Sequence, residues 1–309
     1  MRLGVPDLVT NSYFPAIAAV ELGFFKDEGF DVDIELIYPN PVEALRSGDI
    51  DLVASCAHDI LEAFPQWHGA KLLMALSQHM YWQLIMGSHL QIRPGDLNAL
   101  AGLRIGAAKG VDIVLIHLLK EARLDPKENG ISIGPVRHDP NASFGVTAAQ
   151  ALRTGEVDGF WANAMGAETA LRSGVGSLVL DVRRGIGPSR ARHYTFSALI
   201  GRDDTIRDKP EFVKSAIRAV VRAQQALFEM PELARKIGDS LFPPAQAEMI
   251  TDIIRRDVEF YDADISEESI HGVNQFSRAM GLLTGPVSFQ NIVADTLQQL
   301  QVHTLLNHH

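Results

Sequence analysis

The sequence predicts an α/β protein with two similar α/β lobes and a helical C-terminal region. Three observations support this prediction. The chain has 309 residues, which is near the upper limit for a single hydrophobic core. Short apolar strand patterns alternate with helical patterns before the helical region begins. Nearly the same nine residues also occur twice, as EALRSGDID from Glu43 to Asp51 and as QALRTGEVD from Gln150 to Asp158.

The first run of elements contains five predicted strands and three predicted helices. Ser12 is the expected N-cap of the first helix, and Asn40 is the expected N-cap of the second, which has Pro41 at its first position. The predicted elements are strand Arg2 to Val5, helix Phe14 to Glu28, strand Val32 to Ile37, helix Pro41 to Gly48, strand Asp51 to Ser55, helix His58 to Trp67, strand Lys71 to Leu76 and strand Tyr81 to Met86.

The pattern then restarts, since LRIGA at Leu103 to Ala107 resembles RLGV at Arg2 to Val5. Alternation of this kind predicts parallel strands joined by crossover helices. The predicted elements of the second run are strand Leu103 to Ala107, helix Val111 to Ala122, strand Ile131 to Val136, helix Val146 to Arg153, strand Gly159 to Ala162, strand Ser177 to Val182 and strand Thr195 to Ile200. The C-terminal helices are predicted at Pro210 to Glu229, Pro231 to Leu241, Ala245 to Phe260 and Glu267 to Leu282.

The repeated nine residues have local physical reasons. Gly48 and Gly155 suit the end of a helix that needs a positive φ angle, and Leu45 and Leu152 lie where a helix faces its sheet. Two copies favour duplication of a lobe over a repeat array. Such features also recur in unrelated α/β proteins, so a chance likeness is the alternative.

Composition and charge exclude several classes of protein. The net charge is −10 and no basic run is longer than Arg183-Arg184, which argues against a nucleic-acid surface. No apolar run is long enough to span a bilayer. The single cysteine, Cys56, excludes an intrachain disulfide and a cysteine-based structural metal site. No metal site is expected, because the histidines of the predicted loops lack short ligand spacings: His58, His79, His138 and His193.

The start of the chain leaves two expectations for location. A strand pattern begins at Arg2, which leaves no room for a secretion signal. If a signal was removed and Met1 restored, the protein is expected in the periplasm or at the cell surface. If Met1 is the native start, the protein is expected in the cytoplasm.

Five segments in order carry a resemblance to a known family. They are SYFPAIAAVELGFFKDEGFDVDIELI, EALRSGDIDLVAS, LAGLRIGAAKG, ALRTGEVDGFWA and KPEFVKSAIRAVVRA, which begin at residues 12, 43, 100, 151 and 209. These segments resemble the solute-binding proteins of ABC importers for nitrate, sulfonates, taurine and thiamine-pyrimidine precursors. That family shares a domain with hydroxymethylpyrimidine synthase, and the likeness covers roughly residues 2 to 230.

The resemblance implies the type II periplasmic binding protein fold, in which two α/β lobes enclose a ligand cleft. It places lobe one at 1–86 with 196–309 and lobe two at 87–195, with chain crossings near 82–88 and 194–199. It also implies a monomer that closes over a small-molecule ligand and delivers it to a membrane permease. The loops after the carboxyl ends of strands form the crevice in open α/β sheets.

Candidate ligand-binding residues in the first lobe follow its strands. Asn11, Ser12 and Tyr13 precede a helix whose free N–H groups suit an anion, and capping with core packing is the alternative. Ser55 and His58 lie in SCAHD, for which simple N-capping by Ser55 or Asp59 is the alternative. The remaining candidates of this run are His79, Tyr81 and Trp82 in SQHMYWQ, where Trp82 is equally suited to a core position.

The second lobe adds candidates in three loops. Lys109 lies in AAKGVD, where it is either solvated or, as the synthase branch suggests, a Schiff-base lysine for a pyridoxal cofactor; no cofactor is expected. Trp161 and Asn163 follow the repeated strand, where the first copy has Ala54 and Ser55. His193 and Tyr194 end an arginine-rich loop. An arginine of that loop would set an anion preference if it pointed inward.

Three functions follow from these observations. The leading expectation is a binding protein that encloses a small planar or anionic solute, with no catalytic residue. The first alternative is a cytosolic lyase or hydrolase on the same fold, although the chain lacks the cysteine-rich cluster of the synthase. The second alternative is a cytosolic ligand sensor.

Overall fold

The computed structural model describes residues 1–38, 41–137 and 143–300. The chain divides into two compact units. The first unit contains residues 1–79 and the residues from Thr195 onward, and the second unit contains residues 80–194. The expected positions Asn40 and His138 lie outside the described residues.

The first unit contains a five-stranded sheet in the order β2-β1-β3-β10-β4. Strands β1 to β3 are parallel, whereas β10 is antiparallel to both of its neighbours. The strands are β1 Arg2–Val5, β2 Asp33–Leu36, β3 Leu52–Cys56, β4 Ala70–Ser77 and β10 Ser197–Arg202.

The second unit contains a five-stranded sheet in the order β7-β6-β8-β5-β9. Strands β6, β7 and β8 are parallel, whereas β5 is antiparallel to β8 and β9. The strands are β5 Gln83–Gly87, β6 Arg104–Ala107, β7 Ser132–Gly134, β8 Gly159–Ala162 and β9 Gly176–Leu180.

The two sheets have the same plan, because each inserts one antiparallel strand beside its third parallel strand. β10 takes this place in the first unit and β5 takes it in the second. All ten strands were predicted, but the expectation of parallel strands is wrong for β5 and β10. Each of these strands follows the point where the chain passes from one unit to the other, so no crossover helix sets its direction. The second unit begins at Met80, whereas the resemblance placed the start of lobe two at residue 87.

The helices match most of the predictions in position. Gly23 has a φ of 78° and divides the first predicted helix in two. Tyr13, and not Ser12, is the N-cap of the first helix, and the Tyr13 side chain makes no capping hydrogen bond. The α-helices are α1 Phe14–Glu21, α2 Phe24–Asp27, α3 Val42–Ser47, α4 Asp112–Glu121, α5 Phe144–Arg153, α6 Ala164–Arg172, α7 Asp203–Asp208, α8 Pro210–Glu229, α9 Leu233–Leu241, α10 Pro244–Asp257, α11 Glu267–Ala279 and α12 Phe289–Ile292.

Three helices, α6, α7 and α12, were not predicted. The helix predicted at His58 to Trp67 is instead two 3-10 turns, Asp59–Glu62 and Pro65–Trp67. Pro65 explains the interruption, because proline lacks the N–H group that would continue a helix. Within the part of the chain that the structure describes, no helix is both long and apolar enough to cross a membrane.

The repeated nine residues form the same joint in both units. After α3 the Asp49 N–H donates to the Ala44 carbonyl, and after α5 the Glu156 N–H donates to the Ala151 carbonyl, each at 2.9 Å. The last aspartate of each copy then holds the first strand of its run. Asp51 Oδ2 accepts the Arg2 N–H and Asp158 Oδ2 accepts the Arg104 N–H, both at 2.8 Å. The repeat is therefore a helix-to-strand connection.

Candidate functional site

The carboxyl edge of the first sheet gathers the predicted residues of the first unit. The loop after β1 carries Asn11, Ser12 and Tyr13, and β3 ends in Ser55 and Cys56. Because β10 is antiparallel, its beginning lies at the same edge, where Ser197 pairs with Cys56. The Ser197 hydroxyl donates to the Ser12 carbonyl at 2.9 Å. The sheet thus brings together loops that are far apart in sequence.

Asn11 and Tyr13 are both buried and both contact polar groups. Asn11 Nδ2 donates to Asp257 Oδ2 at 2.7 Å, and the Asn11 carbonyl accepts from the Tyr261 hydroxyl at 2.7 Å. Asn11 Oδ1 is buried and has no hydrogen-bond partner among the described residues. The Tyr13 hydroxyl lies 3.5 Å from Cys56 Sγ. Asn11 is therefore held by α10 with one acceptor oxygen unused.

The SCAHD segment forms a buried polar cluster at the end of β3. Asp59 Oδ2 accepts from the Ser55 hydroxyl at 2.7 Å and from the Cys56 N–H at 3.3 Å. His58 Nδ1 lies 2.9 Å from Thr195 Oγ1, and His58 Nε2 lies 3.3 Å from Asp59 Oδ1. The cap of the following 3-10 turn is His58, so the N-cap alternative for Ser55 and Asp59 is wrong.

Burial favours the neutral form of His58 in this cluster. Loss of hydration lowers the pKa of His58, and the negative charges of Asp59 and Glu62 oppose that shift without reversing it. A neutral imidazole is therefore favoured at neutral pH. The ligand-type atoms of Cys56, His58 and Asp59 lie within 4.8 Å of one another. No metal site was expected, because the four loop histidines lack short ligand spacings, and this cluster combines one of them with a cysteine and an aspartate instead.

His79 ends the first segment of the first unit in a left-handed conformation, with a φ of 64°. Its ring lies 6.3 Å from the Phe260 ring, and the side chain is half-buried. A positive φ is uncommon for a residue with a side chain, so the backbone turns sharply after β4. The turn places His79 directly before the start of the second unit.

An aromatic group lies at the corresponding edge of the second sheet. The Tyr81 and Trp82 rings are 4.9 Å apart, and the Trp82 and Trp161 rings are 6.4 Å apart. All three side chains are buried, and Trp161 is fully buried. The guanidinium carbon of Arg183 lies 5.8 Å from the Tyr81 ring centroid, and Arg183 is buried as well. Aromatic faces and a buried cation therefore meet at one edge.

Asn163 and Lys109 do not belong to the buried polar and aromatic clusters described above. Asn163 is the N-cap of α6, where its Oδ1 accepts from the Gly166 N–H at 3.2 Å. Lys109 is exposed in the loop after β6. The Asn163 side chain thus has a structural task in helix capping, and the Lys109 side chain lies in solvent.

His193 and Tyr194 end the second unit. His193 is half-buried at the end of a 3-10 turn, Ser189–His193. The Tyr194 hydroxyl donates to Glu121 Oε2, and its ring lies 5.0 Å from the His117 ring. Burial and the Glu121 carboxylate together raise the pKa of Tyr194. Tyr194 is therefore a hydrogen-bond donor to α4 and stays un-ionised.

Sequence reasoning missed several residues of these edges. Thr195, Asp257 and Tyr261 contact the predicted residues only through long-range packing. Arg183 was one of several arginines in its loop, and only its burial distinguishes it. A buried partner of Gln83 was also missed: Gln83 Nε2 donates to Asp181 Oδ2 at 2.7 Å. Of these missed residues, only Arg183 had a signal in the sequence, which was its place in the Arg183-Arg184 pair.

A groove of about 550 Å³ lies elsewhere on the first unit, at the amino end of β4. Lys71, Asp203, Arg207 and Phe289 are among its lining residues. The predicted site residues do not line it, and it lies at the opposite edge of the sheet from Asn11 and His58. The polar clusters at the carboxyl edges are therefore the stronger candidates for function.

Comparison with solved structures shows the same fold in transport and enzyme proteins. The periplasmic aliphatic sulphonate binding protein SsuA from Escherichia coli matches with a TM-score of 0.70 and 15% identity, over 95% of this chain and 91% of that chain. The alkanesulfonate-binding protein SsuA from Xanthomonas axonopodis pv. citri matches with a TM-score of 0.67 and 18% identity, over 93% of this chain and 95% of that chain.

A mutant of the desulfurization enzyme DSZB in complex with biphenyl-2-sulfinic acid also matches. Its TM-score is 0.67 and its identity 15%, over 100% of this chain and 99% of that chain. These likenesses confirm the predicted fold class. A comparison with curated protein sequences finds no significant match. A family model described as NMT1/THI5 like matches residues 10–234. Because this match covers most of the sequence, the chain belongs to the NMT1/THI5-like family.

Proposed function

We propose that the protein is the solute-binding component of an ABC importer and that its two units close on a small planar or anionic organic solute. Family membership supports a solute-binding role. Two structural neighbours carry names that describe sulfonate binding. A sulfonate, an aromatic carboxylate or a pyrimidine-like ring fits the same description.

The indole N–H of Trp161 is the main observation that supports the proposed chemistry of the solute. Trp161 is fully buried, and its Nε1 has no hydrogen-bond acceptor among the described residues. A buried donor without an acceptor costs about 1–3 kcal/mol. An oxygen of a solute that accepts from Nε1 would remove this cost, so the position favours a ligand with an acceptor oxygen.

The surroundings of Trp161 favour a planar anion. Trp82 and Tyr81 add aromatic faces on which a flat ring can stack. Arg183 adds a positive charge beside Tyr81, and a guanidinium pairs well with sulfonate or carboxylate oxygens. Asn11, Ser55, His58 and His79 of the first unit would hold the polar edge of the solute.

Closure supplies the mechanism. A solute that contacts both units stabilises the closed state by its higher affinity for that state than for the open one. The partner would be a membrane permease that recognises the closed form. This role places the protein in the periplasm or at the cell surface, as a monomer.

A thermal-shift screen tests the proposal with sulfonates, aromatic carboxylates, pyrimidines and nitrate. A ligand of the native state raises the melting temperature once its concentration exceeds its Kd. Trp161→Phe keeps an aromatic side chain but replaces the indole with a smaller phenyl ring that has no N–H group. It should weaken binding of the hit about tenfold, and Trp161→Ala should weaken it more.

Trp67→Phe is the matched control. Trp67 is also buried and its Nε1 also has no described acceptor, but it packs in the first-unit core near the start of β4. Its substitution should leave affinity unchanged. Equal affinities for the Trp161 variants and the unmodified protein would exclude the assigned site.

One observation favours a second candidate, a lyase or hydrolase on the same fold. Cys56 and His58 place a thiol and an imidazole together at the carboxyl edge of the first sheet, and DSZB shows that an enzyme can have this fold. Mass spectrometry of the hit after long incubation separates the candidates. A binding protein returns the solute unchanged, and stoichiometric or catalytic consumption would contradict the transport proposal.

A further inference from the structure

Three side chains with metal-ligating atoms meet at the end of β3. Cys56, His58 and Asp59 each offer one ligand atom, and these atoms lie within 4.8 Å of one another. Cys56 and His58 are buried, and the Asp59 side chain is 25% exposed. We call these residues the Cys-His-Asp cluster. Asp59 is the member of the cluster that solvent reaches.

The spacing of two ligand atoms already matches a tetrahedral site. His58 Nε2 and Asp59 Oδ1 are 3.3 Å apart. Zinc bonds to nitrogen and oxygen are about 2.0–2.2 Å long, so two such ligands on a tetrahedron are separated by about 3.3 Å. A zinc–sulfur bond of about 2.3 Å requires a separation of about 3.6 Å from the nitrogen. Cys56 Sγ belongs to the group whose ligand atoms lie within 4.8 Å of one another, so a small approach of the thiol would bring it to this separation.

Thr195 orients the imidazole from outside the cluster. The Thr195 hydroxyl donates to the Phe196 carbonyl at 3.5 Å and can accept from His58 Nδ1 at 2.9 Å. A ring that donates from Nδ1 carries its lone pair on Nε2, the atom that faces Asp59. Histidine ligands of metals are held in this way, with the second ring nitrogen donating to an oxygen.

Hydrogen bonds also orient the carboxylate. Asp59 Oδ2 accepts from the Ser55 hydroxyl and the Cys56 N–H, which leaves Oδ1 directed at His58. On cation binding the Cys56 thiol would release its proton to solvent, and the resulting thiolate and the Asp59 carboxylate would together carry two negative charges. A divalent cation would balance them, and burial makes such balance important.

We propose that the Cys-His-Asp cluster binds a divalent cation of the zinc class through Cys56 Sγ, His58 Nε2 and Asp59 Oδ1. The fourth position stays open to water or to a solute oxygen. The mixed sulfur, nitrogen and oxygen ligands suit Zn²⁺, whereas Mg²⁺ and Ca²⁺ prefer oxygen ligands throughout. Cation binding can be measured without a solute, because all three ligands come from one unit; if the cation is bound, His58 would meet a solute through the open fourth position.

Titration of the metal-free protein with Co²⁺ tests the site directly. The chain has one cysteine, so a thiolate-to-cobalt charge-transfer band in the near ultraviolet reports Cys56 alone. We expect this band, with intense tetrahedral d–d bands, at one equivalent of Co²⁺. Added Zn²⁺ should abolish both by displacing the cobalt.

Substitutions distinguish the residues that bind the cation from the residue that orients His58. Cys56→Ser should lose the charge-transfer band, and His58→Gln should weaken Co²⁺ binding by at least tenfold. Thr195→Val should keep the band but weaken binding by about tenfold, because Thr195 only orients His58. His68→Ala is the matched control, since His68 is an exposed histidine of the same unit outside the cluster, and it should change nothing.

Three results would overturn the proposal. Saturating Co²⁺ without a charge-transfer band would overturn it, as would cobalt bands that persist in Cys56→Ser, which would report histidines elsewhere. An unchanged affinity in both His58→Gln and Thr195→Val would overturn it as well. Circular dichroism of each variant shows whether it folds. If Cys56→Ser fails to fold, the two remaining variants still decide the result.

Discussion

At Gly48 and Gly155 the backbone conformation favours glycine over any other residue. Both follow a helix that ends in the repeated segment, and their φ angles are 85° and 75°. A residue with a side chain adopts this region at a cost of about 1–2 kcal/mol. The two sites differ in what a side chain would meet. Among the described residues, no atom lies within 4 Å of a methyl group placed at Gly155, whereas Arg202 Nη1 lies 2.9 Å from one at Gly48.

We therefore predict unequal effects of the same substitution. Gly155→Ala should destabilise the protein by about 1–2 kcal/mol, from conformation alone. Gly48→Ala should destabilise it more, because Arg202 must also leave the Leu45 carbonyl, to which it donates at 2.8 Å. Urea denaturation of the two variants measures both changes. Equal losses, or a larger loss for Gly155→Ala, would contradict this account.

Asn11 both anchors the loop after β1 and presents a buried acceptor oxygen. Its side-chain amide donates to Asp257, and its carbonyl accepts from Tyr261, so it fastens the loop after β1 to the C-terminal helical region. Its Oδ1 is the atom that a solute could use. A loss of solute affinity on substitution would therefore combine lost contact with lost loop position.

At the scale of elements, the aspartates of the repeat connect each helix-to-strand joint to its sheet. The Arg104 side chain donates to Asp158 and lowers the pKa of that carboxyl. Burial would raise the pKa of Asp51, but hydrogen bonds from the Arg2 N–H and from Lys209 lower it overall. The folded state therefore binds fewer protons at these groups than the unfolded state does.

This difference predicts a pH-dependent loss of stability. A carboxyl with a lowered folded pKa stabilises the fold above its unfolded pKa, and this contribution disappears as pH falls through the folded pKa. Asp158→Asn should lower the melting temperature by a few degrees at pH 7, and the difference from the unmodified protein should shrink toward pH 3.

The control for this prediction is Asp33→Asn, which changes an exposed aspartate on β2. It should leave the melting temperature nearly unchanged at every pH. Asp51→Asn should behave like Asp158→Asn if the two joints are equivalent. A difference for Asp158→Asn that stays constant from pH 7 to pH 3 would show that its charge does not matter.

At the scale of the whole molecule, the two units differ in how the chain builds them. All five strands of the second sheet come from residues 80–194. In the first sheet β10 lies between β3 and β4, so that sheet needs residues from both sides of the second unit. The second unit is a continuous insertion, and the first is completed only after it.

We predict that residues 80–194 fold when produced alone and that residues 1–79 do not. The isolated second unit keeps every strand pair of its sheet, whereas the shorter fragment loses the strand that joins β3 to β4. Circular dichroism and thermal unfolding measure the outcome. A cooperative transition in fragment 1–79, or an unfolded fragment 80–194, would contradict the prediction.

Much of the fold could be predicted because its signals are local. Each strand is a short apolar run, and each long helix has an amphipathic period, so the ten strands and α8 at Pro210–Glu229 follow from residues near one another. The helix α6 was missed although its signals are local: Asn163 is a favoured N-cap residue, and the segment contains three alanines. The direction of β5 and β10 was not predictable, since pairing depends on residues far along the chain.

The sequence by itself determined the two α/β units, the repeated joint and the loops that carry polar and aromatic residues. The tertiary structure decided which of those residues meet. Thr195 reaches His58 across 137 positions and Asp257 reaches Asn11 across 246. Burial of Arg183 beside Tyr81 likewise depends on how β9 and the start of β5 align. Short-range patterns specify elements, whereas long-range packing selects partners, and the candidate sites consist of such partners.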